Sequence, residues 1–268
     1  LELGRYHLRD RIGDGSVGVV YKAEDRETGK MVALKHFRTS NQEDVEELNW
    51  RFQTTGGLIT NFAHPNICPA YEYATDGNTA YAVSQLLFVP GDRPFSLTDY
   101  RESFGEDGVL ASEHVRHLGF LLLDGLGHAH NLGVAHGDLS PNNLLFEYVG
   151  EEEGSWRLHL KITDFSLGAL VNGVPALAKR HDKLRPQTYL SPEQRKGGTA
   201  SPASDIYAVA AILFECLTGQ TRFTERLTSL QPDLDEDWEP VLGKALRKDP
   251  DRRFPDAADF ASYLELLD

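Results

Sequence analysis

Between residues 6 and 37 apolar and polar positions alternate in short runs: Tyr6 and Leu8, then Val17, Val19, Tyr21 and Ala23, then Met31 and Ala33, broken by Gly- and Asp-rich turns. A period of two is the mark of antiparallel strands with one face turned to a core. "NQEDVEELNWRFQTT" shifts to a helical period, and "HPNIC" and "TAYAVSQLL" return to extended structure. Residues 1–87 therefore read as a small sheet carrying one helix. From Ser112 onward helices dominate. Ser112 suits an N-cap and Glu113 the first turn, and Val115, Leu118, Leu121, Leu122 and Ala129 recur at helical spacing until Gly133. "SPASDIYAVAAILFECLTG" opens on Ser201 and Pro202, closes on Gly219 and is apolar on every side, which predicts a helix buried all round. Sheet first and helices after imply an α+β fold of two lobes, 1–87 and 88–268, with a crevice between them. The acidic stretch "EYVGEEEGSW" (147–156) reads as a solvated hairpin insertion rather than a docking site.

Composition narrows the function classes. A formal charge of −14 argues against a nucleic-acid binder, because that affinity rests on Lys and Arg neutralising phosphates. A single nucleotide needs only local basic groups and stays open. No apolar run approaches the roughly 18 to 20 residues of a membrane span, and no secretory leader is expected. A chain beginning at Leu1 is expected to be a domain of a longer protein with flanking domains. Cys68 and Cys216 lie far apart without metal spacing, each among apolar residues, and read as buried thiols of a reducing, cytoplasmic protein.

Candidate chemistry begins with "IGDGSVGVVYKA", where Gly13, Gly15 and Gly18 stand in the order G-x-G-x-x-G. A dinucleotide fingerprint of that spacing must open a helix. Here Val17, Val19 and Tyr21 continue a strand alternation, so the glycines sit at a hairpin tip where backbone N–H groups can approach phosphates. "MVALKHF" places Lys35 on the next strand. A lone Lys on a strand is usually a surface residue; its place after a glycine-rich hairpin favours a functional one. His128 and His130 are two apart and cannot share a helical face, so they read as ordinary histidines rather than metal ligands.

At this point the sequence resembles the protein kinase family, through Lys35 in "VALK", "HGDLSPNN" from His136, "DFS" from Asp164, "SPE" from Ser191, Asp205 at the start of the apolar helix and Arg253 in "DPDRRF". The resemblance spans nearly the whole chain and implies a kinase-like bilobal fold using ATP and Mg²⁺. It implies Asp138 as the base for the substrate hydroxyl, Lys35 on the phosphates, and Asn143 and Asp164 on the metal. Ile12, Val20, Ala33 and Leu145 would surround adenine, with Gly13, Gly15 and Gly18 in the covering loop, Ser84 as a small gatekeeper and Gln85 to Leu87 as the hinge. Glu193 and Arg253 would pair within the lower lobe, and His136 would pack beneath the catalytic loop.

Five positions depart from the family pattern. Gly137 replaces the arginine that reads a phosphorylated activation loop, Ser140 replaces the loop lysine, and Pro186 replaces the threonine that touches that lysine. Ser166 replaces a glycine, where a side chain is disfavoured only at positive φ. Thr55 falls where the family has a helix glutamate, with Glu46 and Glu47 two turns earlier, about 12 Å away, and Gly56 and Gly57 predict a loose helix end. Three readings stay open: a slow or unusually regulated protein Ser/Thr kinase, a pseudokinase that binds nucleotide or docks a partner, and a small-molecule phosphotransferase, whose "HGD-x4-N" loop is also similar. Thr188, Tyr189 and Ser191 are candidate phosphosites.

Overall fold

The computed structural model describes residues 1–87, 93–104, 107–150, 156–171, 173–221, 223 and 226–267. They gather into two compact units. The first comprises Leu1–Phe95, Phe146–Lys161 and Ser166–Arg185, and the second Ser96–Leu145, Ile162–Phe165 and Pro186–Asp268.

In the first unit, β1 (Glu2–Leu3), β2 (Tyr6–Asp14), β3 (Gly18–Asp25), β4 (Met31–Phe37), β5 (Ala70–Asp76) and β6 (Thr79–Gln85) form one antiparallel sheet in the order β1-β2-β3-β4-β6-β5. Its register sorts side chains by face. Leu8, Ala23, Val32, Leu34, Tyr81 and Val83 pack with Leu3 and Tyr6 into a buried cluster. On β4 this corrects the sequence reading: Val32 and Leu34 are the buried pair, while Met31 is exposed and Ala33 half-buried. "MVAL" is apolar at four consecutive positions, so alternation alone does not fix its phase.

Helix α1 (Gln42–Arg51) starts where Asn41 accepts the Asp44 N–H at 2.9 Å, with Glu43 and Asp44 at its positive end. The chain continues through a π-helical turn, Phe52–Gly56, into α2 (Gly57–Ile59). The expected loose end is thus helical, because Gly56 lets the Tyr73 ring approach to where a Cβ would stand 3.1 Å from it. Phe52 adds ring contacts with Phe37 and Tyr73 at 5.5 and 5.3 Å. In "HPNIC" Pro65 and Asn66 form a turn and Ile67 a single β-bridge, and β5 begins after it.

Downstream the order is β7 (Phe95–Ser96), α3 (Leu97–Phe104), α4 (Ser112–Asn131), β8 (Leu144–Gly150), β9 (Trp156–Ile162), α5 (Leu167–Val171), α6 (Pro175–Leu184), α7 (Pro192–Arg195), α8 (Pro202–Thr218), α9 (Leu227–Leu230), α10 (Trp238–Ala245) and α11 (Ala257–Leu264). The acidic stretch contributes 147–150 to β8 and 156 to β9; residues 151–155 lie outside the described residues. In the second unit α8 is the central element: every residue from Ser204 to Thr218 is buried, Ser201 accepts the Ser204 N–H, and Gly219 ends the helix at φ 69°. Gly119 of α4 lets Leu264 of α11 and Leu213 of α8 close over a site with no room for a Cβ. Helix α4 is capped by Ala111 rather than Ser112, its carbonyl accepting the His114 and Val115 N–H groups. Cys216 is buried in α8, its thiol pushed up to about 12 by burial, whereas Cys68 is only half-buried, which corrects the expectation for that residue. Among the described residues no helix is long and apolar enough to cross a membrane.

Candidate active site

The first unit supplies a glycine hairpin and one ammonium. Across its sheet Gly13 pairs with Val20, Val20 with Lys35 and Lys35 with Ala82, while Ala33 pairs with Ser84 and Val32 with Gln85. Directly opposed residues share a face, so Val20, Lys35, Ala82, Ala33 and Ser84 line the face opposite the buried cluster, and all five are half-buried. Lys35 lies on a strand paired on both sides, not at an edge. Ile12 falls in the irregular step between the Arg11 and Gly13 pairings. The Gly15 N–H donates to the Gly18 carbonyl at 2.9 Å and closes the turn. A Cβ at Gly18 would collide with the His36 carbonyl, so glycine is required there. Gln85 Nε2 donates to Glu147 at 2.7 Å and Leu87 is buried; the rest of the sequence-expected hinge, 88–92, lies outside the described residues. Thr55 is half-buried in the π turn, and the Glu47 carboxylate is held by Arg51 at 2.7 Å.

The second unit builds its own set from backbone bonds to one buried carboxylate. Asp205, at the start of α8, takes the N–H groups of His136 and Gly137 at 2.7 and 2.8 Å, with His130 Nε2 at 2.8 Å. His136 is wholly buried; its Nδ1 accepts the Asp138 N–H at 3.2 Å, so Nε2 carries the proton given to the Thr163 carbonyl at 2.8 Å. Burial lowers the His136 pKa below the usual imidazole value, although Asp205 pulls the other way. The neutral ring, 4.8 Å from that of Phe165, ties the catalytic loop to the segment after β9 that carries Asp164. Asn143 Nδ2 donates to the Asp138 carbonyl at 2.8 Å, and the Asn143 carbonyl accepts both the N–H and the hydroxyl of Thr163. Asp138, Asn143 and Asp164 are thereby tied by short bonds within one unit, with Leu145 next along β8. The motifs predicted Asp138, Asn143 and Asp164; Thr163, His130 and Gln194, whose amide holds the Gly137 carbonyl at 2.8 Å, carried no sequence signal beyond proximity to them.

The departures have local physical reasons. Gly137 adopts φ 78°, and a Cβ there would stand 2.6 Å from Ala200, so the space beside it is filled. Ser140 is buried and precedes a single 3₁₀ turn over Pro141–Asn143. Pro186 precedes a similar turn over Gln187–Tyr189 at φ −64°, an angle proline prefers. Ser166 sits at φ 53° and Asp164 at φ 61°, both in the left-handed region. Of the candidate phosphosites, Tyr189 donates to Glu215 and Ser191 is fully buried with its hydroxyl on Gln194, so both hydroxyls are committed to the fold. Arg253 grips Glu193 with two 2.7 Å bonds. Burial pushes the Glu193 carboxyl up, but these bonds outweigh it and hold its pKa below the usual carboxylate range.

The model of the family described as "Protein kinase domain" matches residues 6–262. The chain belongs to the protein kinase domain family. Along 98% of its length this kinase domain is 29% identical to the serine/threonine-protein kinase PrkC of Bacillus subtilis, covering 40% of that protein. It is 30% identical, over 95% of its length, to a probable serine/threonine-protein kinase PknB of Lactococcus lactis, again covering 40%. With PknA of Mycobacterium tuberculosis it shares 28% identity over 96% of its length and 60% of the relative. The domain thus spans about half the length of these relatives. The crystal structure of the Mycobacterium tuberculosis PknI kinase domain covers 99% of the chain at a TM-score of 0.75 and 19% identity, with 97% of that structure covered, which shows the α+β kinase fold.

Proposed function

We propose that this domain transfers the γ-phosphoryl group of ATP to a Ser or Thr hydroxyl of a protein. Asp138 accepts the hydroxyl proton, and Lys35 holds the phosphates under the hairpin of Gly13, Gly15 and Gly18. Ile12, Val20, Ala33, Gln85, Leu87 and Leu145 take the adenine, with 1–87 as the nucleotide cradle and 88–268 as the catalytic part. The carrying observation is the bond from Asn143 Nδ2 to the Asp138 carbonyl. It engages the amide's donor and leaves its oxygen as the atom offered to a cation, beside the Asp164 segment that the Asn143 carbonyl anchors at Thr163. An amide oxygen and the Asp164 carboxylate suit magnesium, a hard cation that takes few protein oxygens and completes its shell with phosphate and water. Bound there, the ion would neutralise charge on the triphosphate.

The groups missing at Thr55, Gly137, Ser140 and Pro186 orient or regulate rather than touch metal, which supports a slow enzyme. We place it in the cytoplasm on its cysteine usage, within a longer chain like those of its relatives. Incubation with radiolabelled ATP and a generic protein substrate should give labelling that Asp138→Ala and Asp164→Ala abolish; equal labelling in all three excludes the assignment. A pseudokinase is the second reading, favoured by the commitment of Glu47 to Arg51 and by Ser166 at positive φ. Thermal stabilisation by Mg-ATP without turnover would select it. A small-molecule phosphotransferase is the most distant alternative, revived only by phosphorylation of an amino-sugar or choline without protein labelling.

A further inference from the structure

Helices α5 and α6 follow Asp164 and belong to the same unit as the glycine hairpin. Two independent sets of bonds fix them there. At one end, Arg51 of α1 donates from Nη1 to the Ala169 carbonyl at 2.9 Å while its Nε stays on Glu47, and Gly173 sits so close to both side chains that no Cβ fits. At the other end α6 meets the hairpin tip: Arg180 Nε donates to the Ser16 carbonyl at 2.7 Å, and Ser16 Oγ lies 2.9 Å from His181 Nδ1. His181 and Leu177, four residues apart on one face of α6, are both buried, whereas Arg180 and its neighbour Lys179 are exposed.

Ser16 stands between Gly15 and Gly18, whose freedom from side chains suits them to approach phosphate. A hairpin tip that must move onto a triphosphate is here tied by its carbonyl and its hydroxyl to a helix 164 and 165 residues away in sequence. We propose that α6 is an intramolecular strap that restrains the glycine hairpin, so that nucleotide binding requires α6 to release Ser16. This regulation rests on the nucleotide-binding reading above. It predicts that the apparent affinity for Mg-ATP is reduced by the fraction of molecules in the strapped state. Because Glu47 is held by the same Arg51 that grips α5, release of the segment would also change the surroundings of that carboxylate.

The test compares the whole domain with Arg180→Ala, Arg180→Ala/His181→Ala and, as a charge-matched control on the same helix, Lys179→Ala. Mg-ATP affinity is read by calorimetry, and amide hydrogen exchange is read at residues 15–19 without nucleotide. The strap predicts faster exchange at the tip and roughly tenfold tighter Mg-ATP binding in the Arg180 variants, with Lys179→Ala like the wild type. Arg180 is exposed, so its single variant keeps the test valid should the loss of buried His181 unfold the double one. Unchanged exchange, or equal affinity across the set, overturns the strap and leaves the phosphotransfer reading standing. Absence of Mg-ATP binding from every protein overturns that reading, and the gate with it.

Discussion

Two backbone positions decide opposite substitutions. Ser166 holds φ 53°, where a Cβ crowds the carbonyl and costs about 1–2 kcal/mol. Replacing it with glycine removes that strain and adds about 0.4–1 kcal/mol of unfolded-state entropy. Ser166→Gly should therefore stabilise the domain by about 0.5–1 kcal/mol, seen as a higher urea midpoint at unchanged slope; a lower midpoint would mean that the Ser166 side chain contributes more than its backbone costs. At Gly137 the balance reverses. Its φ of 78° and the 2.6 Å approach of Ala200 to a built Cβ both penalise any side chain. Gly137→Ala should cost about 2 kcal/mol or more in the same measurement, and Gly137→Arg should not restore the family's arginine function, because the space beside it is occupied. The sequence identified the glycine as a lost cation; that it also fits a filled niche depends on Ala200, 63 residues away, which no motif marks.

At the scale of elements, the catalytic loop is held from α8 and the segment after α6 is held from the C-terminal region. Asp205 is almost fully buried and accepts two backbone N–H groups of the loop. Asp205→Asn keeps the shape but turns one acceptor into a donor facing a donor, and should cost about 2–3 kcal/mol. The same variant should slow phosphoryl transfer by loosening Asp138, with Mg-ATP affinity less affected; full activity would show that the loop holds itself. Arg253, with a fully buried side chain bound twice to Glu193, is a pair whose one-sided removal leaves an uncompensated buried charge. Arg253→Ala should cost about 3–5 kcal/mol in chemical denaturation, and Lys should rescue little because it lacks the two-pronged geometry. Helix α8 was legible from its ends and its apolar content, and the β2–β3 hairpin from alternation. The phase of β4 was not, since both its faces are apolar. Nor was α6, whose "PALAKRHDKL" carries no motif and whose His181 is buried beside Ser16.

Across the molecule, the ordered motifs made the family readable because their residue types recur in a fixed order along the chain, whether the bond that holds each is local, as from Asn143 to Asp138, or long, as from Arg253 to Glu193. What stayed hidden depends on contacts to residues that no motif marks: Ser16 with α6, Ala200 beside Gly137 and the burial that sets titration. That burial gives the domain a defined response to acid. His136 has an unfolded value of 6.5 and a lower folded one, so as pH falls below 6.5 the unfolded chain takes a proton the folded loop refuses, and stability declines. Glu193, with an unfolded value of 4.5 and a lower folded one, adds stability that is complete above 4.5 and is lost as pH falls through its folded value. Both act in the same direction, in successive windows. The net charge of −14 acts oppositely, since partial protonation relieves self-repulsion, so a decline between pH 6.5 and 5 reports the histidines that burial holds below 6.5, His136 and His36, and the ring signals of His136 assign its share. Urea unfolding followed by the emission of Trp238, fully buried in the second unit, should show a plateau above about pH 7 and a first loss below 6.5, while the ¹⁵N shifts of the His136 ring remain those of a neutral imidazole. A ring that titrates near 6.5 in the folded protein, with no loss of stability over that window, would mean that the loop opens enough to hydrate it and that Asp138 is less firmly held than the bonds to His136 and Asp205 require.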